Sequence, residues 1–272
     1  ITGVTGMKII RAIISGERNP VKLASMRDAR CNNSKTIIAK ALEGNWRSEH
    51  IFALQQAVEL YDFYTKQIIA CESEIQHHLE SFDDRSNGSP LEKPPRKSHG
   101  SSNQFHFDAR GYLYRMTGVD VTRIEGIEAP TALTIISEIG IDMSPWPTEK
   151  HFTSWLALCP GSKITGGKVL SSKTKPSANR AAQAFRLAAY SLQRSNSAIG
   201  AFLRRKKAQK GAPKATTATA HKIARIFYNM LKYGTEYVEL GQEYYEQRYQ
   251  DRVIANLKRK AKQFGFELVN IK

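Results

Sequence analysis

The chain is 272 residues long, 41% hydrophobic and 24% charged, with 41 Lys and Arg against 25 Asp and Glu, a net charge of +16. That apolar share is enough to bury cores in one large domain or two to three small ones, which excludes a disordered tail as a description of the whole. No window holds the roughly 18 to 20 consecutive apolar residues of a membrane span, and no charged start with a following apolar run marks a secretory leader. A soluble, cytoplasmic protein with no membrane partner is expected. Cys31, Cys71 and Cys159 are too few and too widely spaced for a disulfide framework or a zinc site, and read as free thiols.

In chain order, residues 1–48 read as short helices separated by turns. Met7 to Ile14 is amphipathic, Ser15-Gly16 stops it, and Asn19-Pro20 opens the next, with proline in the first turn where its missing donor costs nothing. Residues 49–82 form a coiled-coil-like stalk: Leu54, Val58, Tyr61, Ile68, Ile75, Leu79 and Phe82 recur at alternating spacings of four and three, interrupted only by Thr65 and Glu72. The same pattern suits a long helix packed inside its own domain. His77 and His78 are adjacent and point to different helix faces, which argues against a metal role. Residues 83–104, with Gly88, Pro90, Pro94, Pro95, Gly100 and several serines, break every periodicity and read as a linker.

A compact basic domain is expected over 105–235. Phe105 to Met116 fits either a brief strand pair or a helix. Val121 to Ile141 resembles a helix-hairpin-helix: a first helix ending at Gly126, a turn through Ile127-Glu128-Ala129, and a second helix opened by Pro130 and closed by Gly140. Such a turn binds phosphate through backbone amides, although Glu128 puts a carboxylate where the phosphate would come, and a plain packing hairpin fits as well. A helix around His151 to Leu158 follows, with Trp146 and Trp155 expected in the core.

The loop from Cys159 to Lys168 sets glycines between lysines, a composition that lets backbone amides approach a phosphate. It is not a P-loop, because Gly167 and Lys168 stand where that motif needs Lys and Ser or Thr. Ser177 is positioned to cap an alanine-rich helix through Leu192, Ala201 to Lys214 is densely cationic, and His221 to Tyr233 is amphipathic. His221 reads as a surface residue beside Lys222 rather than a base. Residues 236–272 are expected to be a carboxy-terminal helix, about Tyr237 to Phe264, interleaving tyrosines with charges of both signs as a solvated stalk or a clasp. The fold class expected is therefore mainly α.

The charge is not spread evenly. Gly161 to Thr235 holds 16 basic residues and no Asp or Glu, so the remainder of the chain is balanced at 25 of each sign. A folded segment of one sign repels itself unless a polyanion neutralises it, and a phosphate backbone gains affinity there by releasing counterions. Nucleic acid is the expected partner. The candidate contacts are Lys163, Lys168, Lys173, Lys175, Arg180, Arg186, Arg204, Arg205, Lys206, Lys207 and Lys210. Lysines beside Thr165, Ser171 and Ser172 favour an oxyanion, though serines in such settings more often cap helices or bind phosphate than attack it.

Taken together, ITGVTGMKIIRAI, IEGIEAPTALTIISEIG, SWLALCPGSKITGGKVLSSKTKPSANRAAQAFRLAA and GAFLRRKKAQKGAPKATTATAHKIAR resemble bacterial insertion-sequence transposases of the one-hundred-ten family, its eleven-eleven branch in particular. The resemblance runs over essentially the whole chain. It implies an amino-terminal RuvC-like domain with four metal-binding carboxylates ahead of Ile1, a coiled-coil stalk, and a carboxy-terminal domain that supplies a serine for a covalent link to DNA. A structured guide RNA and Mg2+ in the RuvC-like domain belong to the same implication, with no cofactor held by the present residues. Homo-oligomerisation through the stalk is expected. The catalytic hydroxyl so implied is Ser171, with Ser172 and Thr165 as alternates, since relatives carry a serine where Thr165 precedes Gly166-Gly167-Lys168. The rival expectation is a non-catalytic nucleic-acid binding fragment or relic of such a protein.

Overall fold

The computed structural model describes residues 2–93 and 104–269. Pro94, Pro95 and Gly100 of the expected linker lie outside the described residues. The chain divides into two compact units, Ile1–Ser73 and Glu74–Lys272. The division falls inside the long helix rather than at its ends. Among the described residues the structure is helical apart from one short hairpin, so the mainly α expectation holds.

In the first unit, α1 (Val4–Ile14), α2 (Pro20–Ser25) and α3 (Lys35–Ala41) precede α4 (Ser48–Glu80). Asn19-Pro20 opens α2 as read, with Asn19 Oδ1 accepting from the amides of Val21 and Lys22 at 2.9 and 3.2 Å, and Ser34 Oγ, a cap not singled out in the sequence, accepts from Ile37 N at 3.2 Å. Ile9, Ile13 and Leu23 are buried, with Trp46, Ile51 and Leu54 among the side chains packed on them. Across this core Arg11 donates to both carboxylate oxygens of Asp62, and that hydrogen-bonded pairing holds the Asp62 carboxyl below its ordinary range.

The second unit begins with the last turns of α4, whose Ile75 and Leu79 join its core. It continues through α5 (Ala109–Thr117), α6 (Ala129–Ile139), α7 (Glu149–Trp155), the strands β1 (Lys163–Thr165) and β2 (Lys168–Ser171), α8 (Arg180–Ser191), α9 (Ala198–Lys210), α10 (Ala212–Tyr233) and α11 (Gly241–Gln263). Within Phe105 to Met116 the structure has a helix from Ala109 on, opened by Asp108, whose side chain accepts from Gly111 N at 3.0 Å. The core is built on Phe152, Phe185, Phe227 and Tyr228, with ring centroids 5.5 to 6.4 Å apart. Alanines at 181, 182, 188 and 189 on α8 and at 215, 220 and 224 on α10 are buried and let these helices approach closely.

Three expectations are corrected. The first helix of the hairpin segment is a single 3-10 turn, Val121–Arg123. Its glycine is packed: Gly126 has φ +86°, and a Cβ there would lie 2.6 Å from the Ala188 carbonyl oxygen on α8. α8 starts late enough that Asn179, not Ser177, caps it, accepting from Ala182 N at 2.9 Å while Ser177 Oγ accepts from Asn179 N. Trp146 packs against the core, but Trp155 is 45% exposed, lying outside Trp146 at a centroid distance of 5.0 Å.

Candidate nucleic-acid interface

The acid-free segment supplies the hairpin, α8, α9 and α10, all in the second unit. The expected phosphate loop is a β-hairpin. Gly166 and Gly167, at φ +55° and +75°, occupy the two left-handed positions that a tight two-residue turn requires. Thr165 pairs with Lys168, Ile164 with Val169, and, past an irregularity, Lys163 with Ser171. The ladder continues outward through the Pro160 and Thr174 bridge and Gly161 N donating to Lys173 O at 2.9 Å. Residues 162–170 are exposed.

This register gives two of the three candidate hydroxyls a lysine as direct cross-strand neighbour: Lys168 opposite Thr165, and Lys163 opposite Ser171. Ser171 is half-buried and its Oγ accepts from Lys173 N at 3.3 Å, whereas Ser172 is exposed just past the end of β2. Among the described residues, none of the three hydroxyls hydrogen-bonds an imidazole or a carboxylate. The hairpin therefore offers hydroxyls in a cationic setting without a proton acceptor of its own.

The basic side chains sort into two groups. Lys163, Lys168, Lys173, Lys175, Lys207 and Lys210 are exposed. Others have partners within the domain. Arg180 pairs with Glu138 at 3.2 Å and Arg225 with Glu149 at 3.0 Å; among the described residues these are the two ion pairs made by the sixteen cations. Arg204 donates to Ser195 O and Gln242 Oε1, both at 2.6 Å, tying α9 to α11. Lys232 Nζ donates to the carbonyls of Trp146 and Pro147, and Arg186 reaches Ala157 O at 3.5 Å. Lys206 lies 5.7 Å from the Phe202 ring centroid. Among the described residues the other fourteen of the sixteen cations make no ion pair.

Two features were not picked out as site elements in the sequence. Lys222 is half-buried beside Phe202 and Tyr245, and loss of hydration pushes its ammonium below its ordinary pKa, against the opposing pull of Glu239. The tyrosines of α11 face this lysine and Arg205, whose guanidinium lies 3.3 Å from the Tyr249 centroid. The available signal was Tyr245 and Tyr249 four residues apart, one helical face, followed by Arg252. His221 is half-buried rather than on the surface; desolvation first, then Arg225, lower its pKa, and Glu149 opposes.

Among the described residues no group of three or more His, Cys, Asp or Glu gathers to hold a metal ion, so a four-carboxylate Mg2+ site does not fit them. No helix of the described residues is long and apolar enough to cross a membrane. The chain matches no curated protein and no solved structure. Residues 120–204, from the 3-10 turn through the hairpin and α8 into the basic turn of α9, match the model of the family described as Transposase IS116/IS110/IS902 family, which connects this segment with DNA transposition and recombination in general.

Proposed function

We propose that this chain is the DNA-gripping, serine-bearing part of a transposase of that family, eleven-eleven branch. The observation that carries the reading is an overlap: the segment matching the transposase family contains the hairpin and much of the stretch that has cations and no acids. Exposed lysines on both strands position a phosphodiester over the hairpin, and Lys163 opposite Ser171 favours the anionic phosphorane that attack would create. Ser171 Oγ bonds to phosphorus, the bond from phosphorus to the departing sugar oxygen breaks, and the proton lost by the hydroxyl is matched by the one that oxygen gains.

The RuvC-like domain, its Mg2+ and the guide RNA belong to this proposal as what the family resemblance implies, and no step here runs through them. Oligomerisation through α4 is supported by its exposed apolar side chains, including Phe52, Phe63, Tyr64 and Ile68, each more than half exposed.

The test is trapping of a covalent protein–DNA adduct by the full-length protein on DNA carrying its element ends. Ser171→Ala abolishes the adduct, while Ser172→Ala and Thr165→Ala retain it. An adduct that persists in Ser171→Ala overturns the assignment, and one lost only in Thr165→Ala moves the nucleophile to the turn of the hairpin.

A further inference from the structure

α9, α10 and α11 enclose a crevice that the hairpin chemistry does not use. Its smaller cavity, about 340 Å3, is lined by Phe202, Arg205, Lys222, Tyr245, Tyr249 and Arg252 among others, and by no carboxylate. An adjoining cavity of about 730 Å3 shares Lys222, Tyr245, Tyr249 and Arg252 with it. That one is largely apolar, with Ile226, Val238, Leu240 and Tyr244 on its walls and Asp251 at one side. Both volumes fall in the range of sites that take small ligands or single residues of a polymer.

The charge arrangement in the smaller cavity is unfinished. Arg205 Nη1 is buried and has no hydrogen-bond partner among the described residues. Tyr249 stacks on the guanidinium plane, with Tyr245 at 5.4 Å, but ring faces do not accept an in-plane N–H. Lys222 sits 5.0 Å from the Phe202 centroid and 5.4 Å from that of Tyr245, and Arg252 is 5.4 Å from Tyr249. A buried guanidinium nitrogen without a partner, with half-buried Lys222 and exposed Arg252 lining the same void, calls for an anion with several acceptor oxygens. Next to it, exposed tyrosine and aliphatic side chains offer the apolar, flat surface on which a nucleobase stacks.

We propose that this crevice seats one nucleotide of an unpaired nucleic-acid strand, its phosphate among Arg205, Lys222 and Arg252 and its base in the larger cavity against Tyr244 and Tyr245. The proposal rests on the nucleic-acid reading of the basic domain and adds the class of ligand. A duplex keeps its bases stacked inside and cannot deliver one to a cavity flanked by helices, so the site selects strands that are single, frayed or looped. It makes α11 part of the binding surface, with its tyrosines as the stacking platform.

The test is fluorescence anisotropy of the full chain with a labelled 20-nucleotide single strand, as DNA and as RNA, and with a 20-base-pair duplex. Tyr244→Ala and Lys222→Met each lower single-strand affinity about tenfold. Tyr244→Ala leaves duplex affinity unchanged, and Tyr244→Phe keeps the wild-type single-strand value. Photo-crosslinking of a 5-iodouracil single strand to the unmodified protein, mapped by mass spectrometry, yields adducts at Tyr244 or Tyr245 whether or not a variant folds. Unchanged single-strand affinity in both variants, or crosslinks confined to other helices, overturns the crevice while wild-type duplex binding leaves the broader reading standing. Absence of any nucleic-acid binding by the wild type overturns the broader reading itself. A mononucleotide that binds as tightly as the 20-mer overturns the strand as ligand and makes the crevice a free-nucleotide site.

Discussion

At the scale of single residues, Ala157 is the clearest point of strain. It follows α7 at φ +52°, in the left-handed region where a Cβ crowds the backbone, and it is buried. Ala157→Gly is expected to raise stability by about 1 kcal/mol, read as a higher Tm with DNA affinity unchanged; a lower Tm contradicts the strain. Arg110 and Asp120 make the opposite case. Their side chains are 17% and 8% exposed, joined at 2.5 Å, and Thr122 completes the carboxylate's bonding through its amide and hydroxyl. Arg110→Ala leaves a buried carboxylate without its cation and is expected to cost about 3 kcal/mol in denaturant unfolding. Arg110→Met combined with Asp120→Asn is expected to recover most of that, because the uncompensated charge is then gone. Asn19 was legible as a cap because it directly precedes Pro20; Ser177 misled because Asn179 lies nearer the first helical residue, and a cap is fixed by reach to the amide two or three residues on.

At the scale of elements, glycine punctuation was readable and its packing was not. Gly126 and Gly140 mark the turn and the end of α6 as the sequence indicates, yet nothing in one sequence reveals that Gly126 lies against the carbonyl of Ala188. Gly126→Ala is expected to destabilise the second unit by about 2 kcal/mol, through positive φ and that contact together, with loss of Tm as the readout. A near-neutral substitution means α6 and α8 are not held at this spacing. The hairpin was hidden for a different reason. Lys-Ile-Thr and Lys-Val-Leu-Ser are short and, but for Ser171, exposed, so no apolar alternation announces strands, and Gly166-Gly167 alone carries the turn signal. In α11 the mixed charges fitted a solvated stalk or a clasp, and the tyrosines that fasten it to α9 act through cation–π contacts that no periodicity encodes.

On the scale of the whole molecule, charge segregation was the most informative property of the sequence. It marked the acid-free stretch before any element was placed, and self-repulsion without a counter-charge has few resolutions in a folded chain. What it did not distinguish was the lysines free for a ligand from the arginines and lysines that fasten helices together, such as Arg204 and Lys232, since that depends on which carbonyls and side chains the fold brings near. The central claim is that the exposed cations of the second unit neutralise phosphates. The direct measurement is duplex DNA affinity of the full chain between 50 and 200 mM salt. With only four phosphates engaged, affinity falls about a hundredfold over that range, and the slope becomes shallower by about one for each hairpin lysine, Lys163 or Lys168, changed to alanine. Affinity that stays level across the same range contradicts the claim.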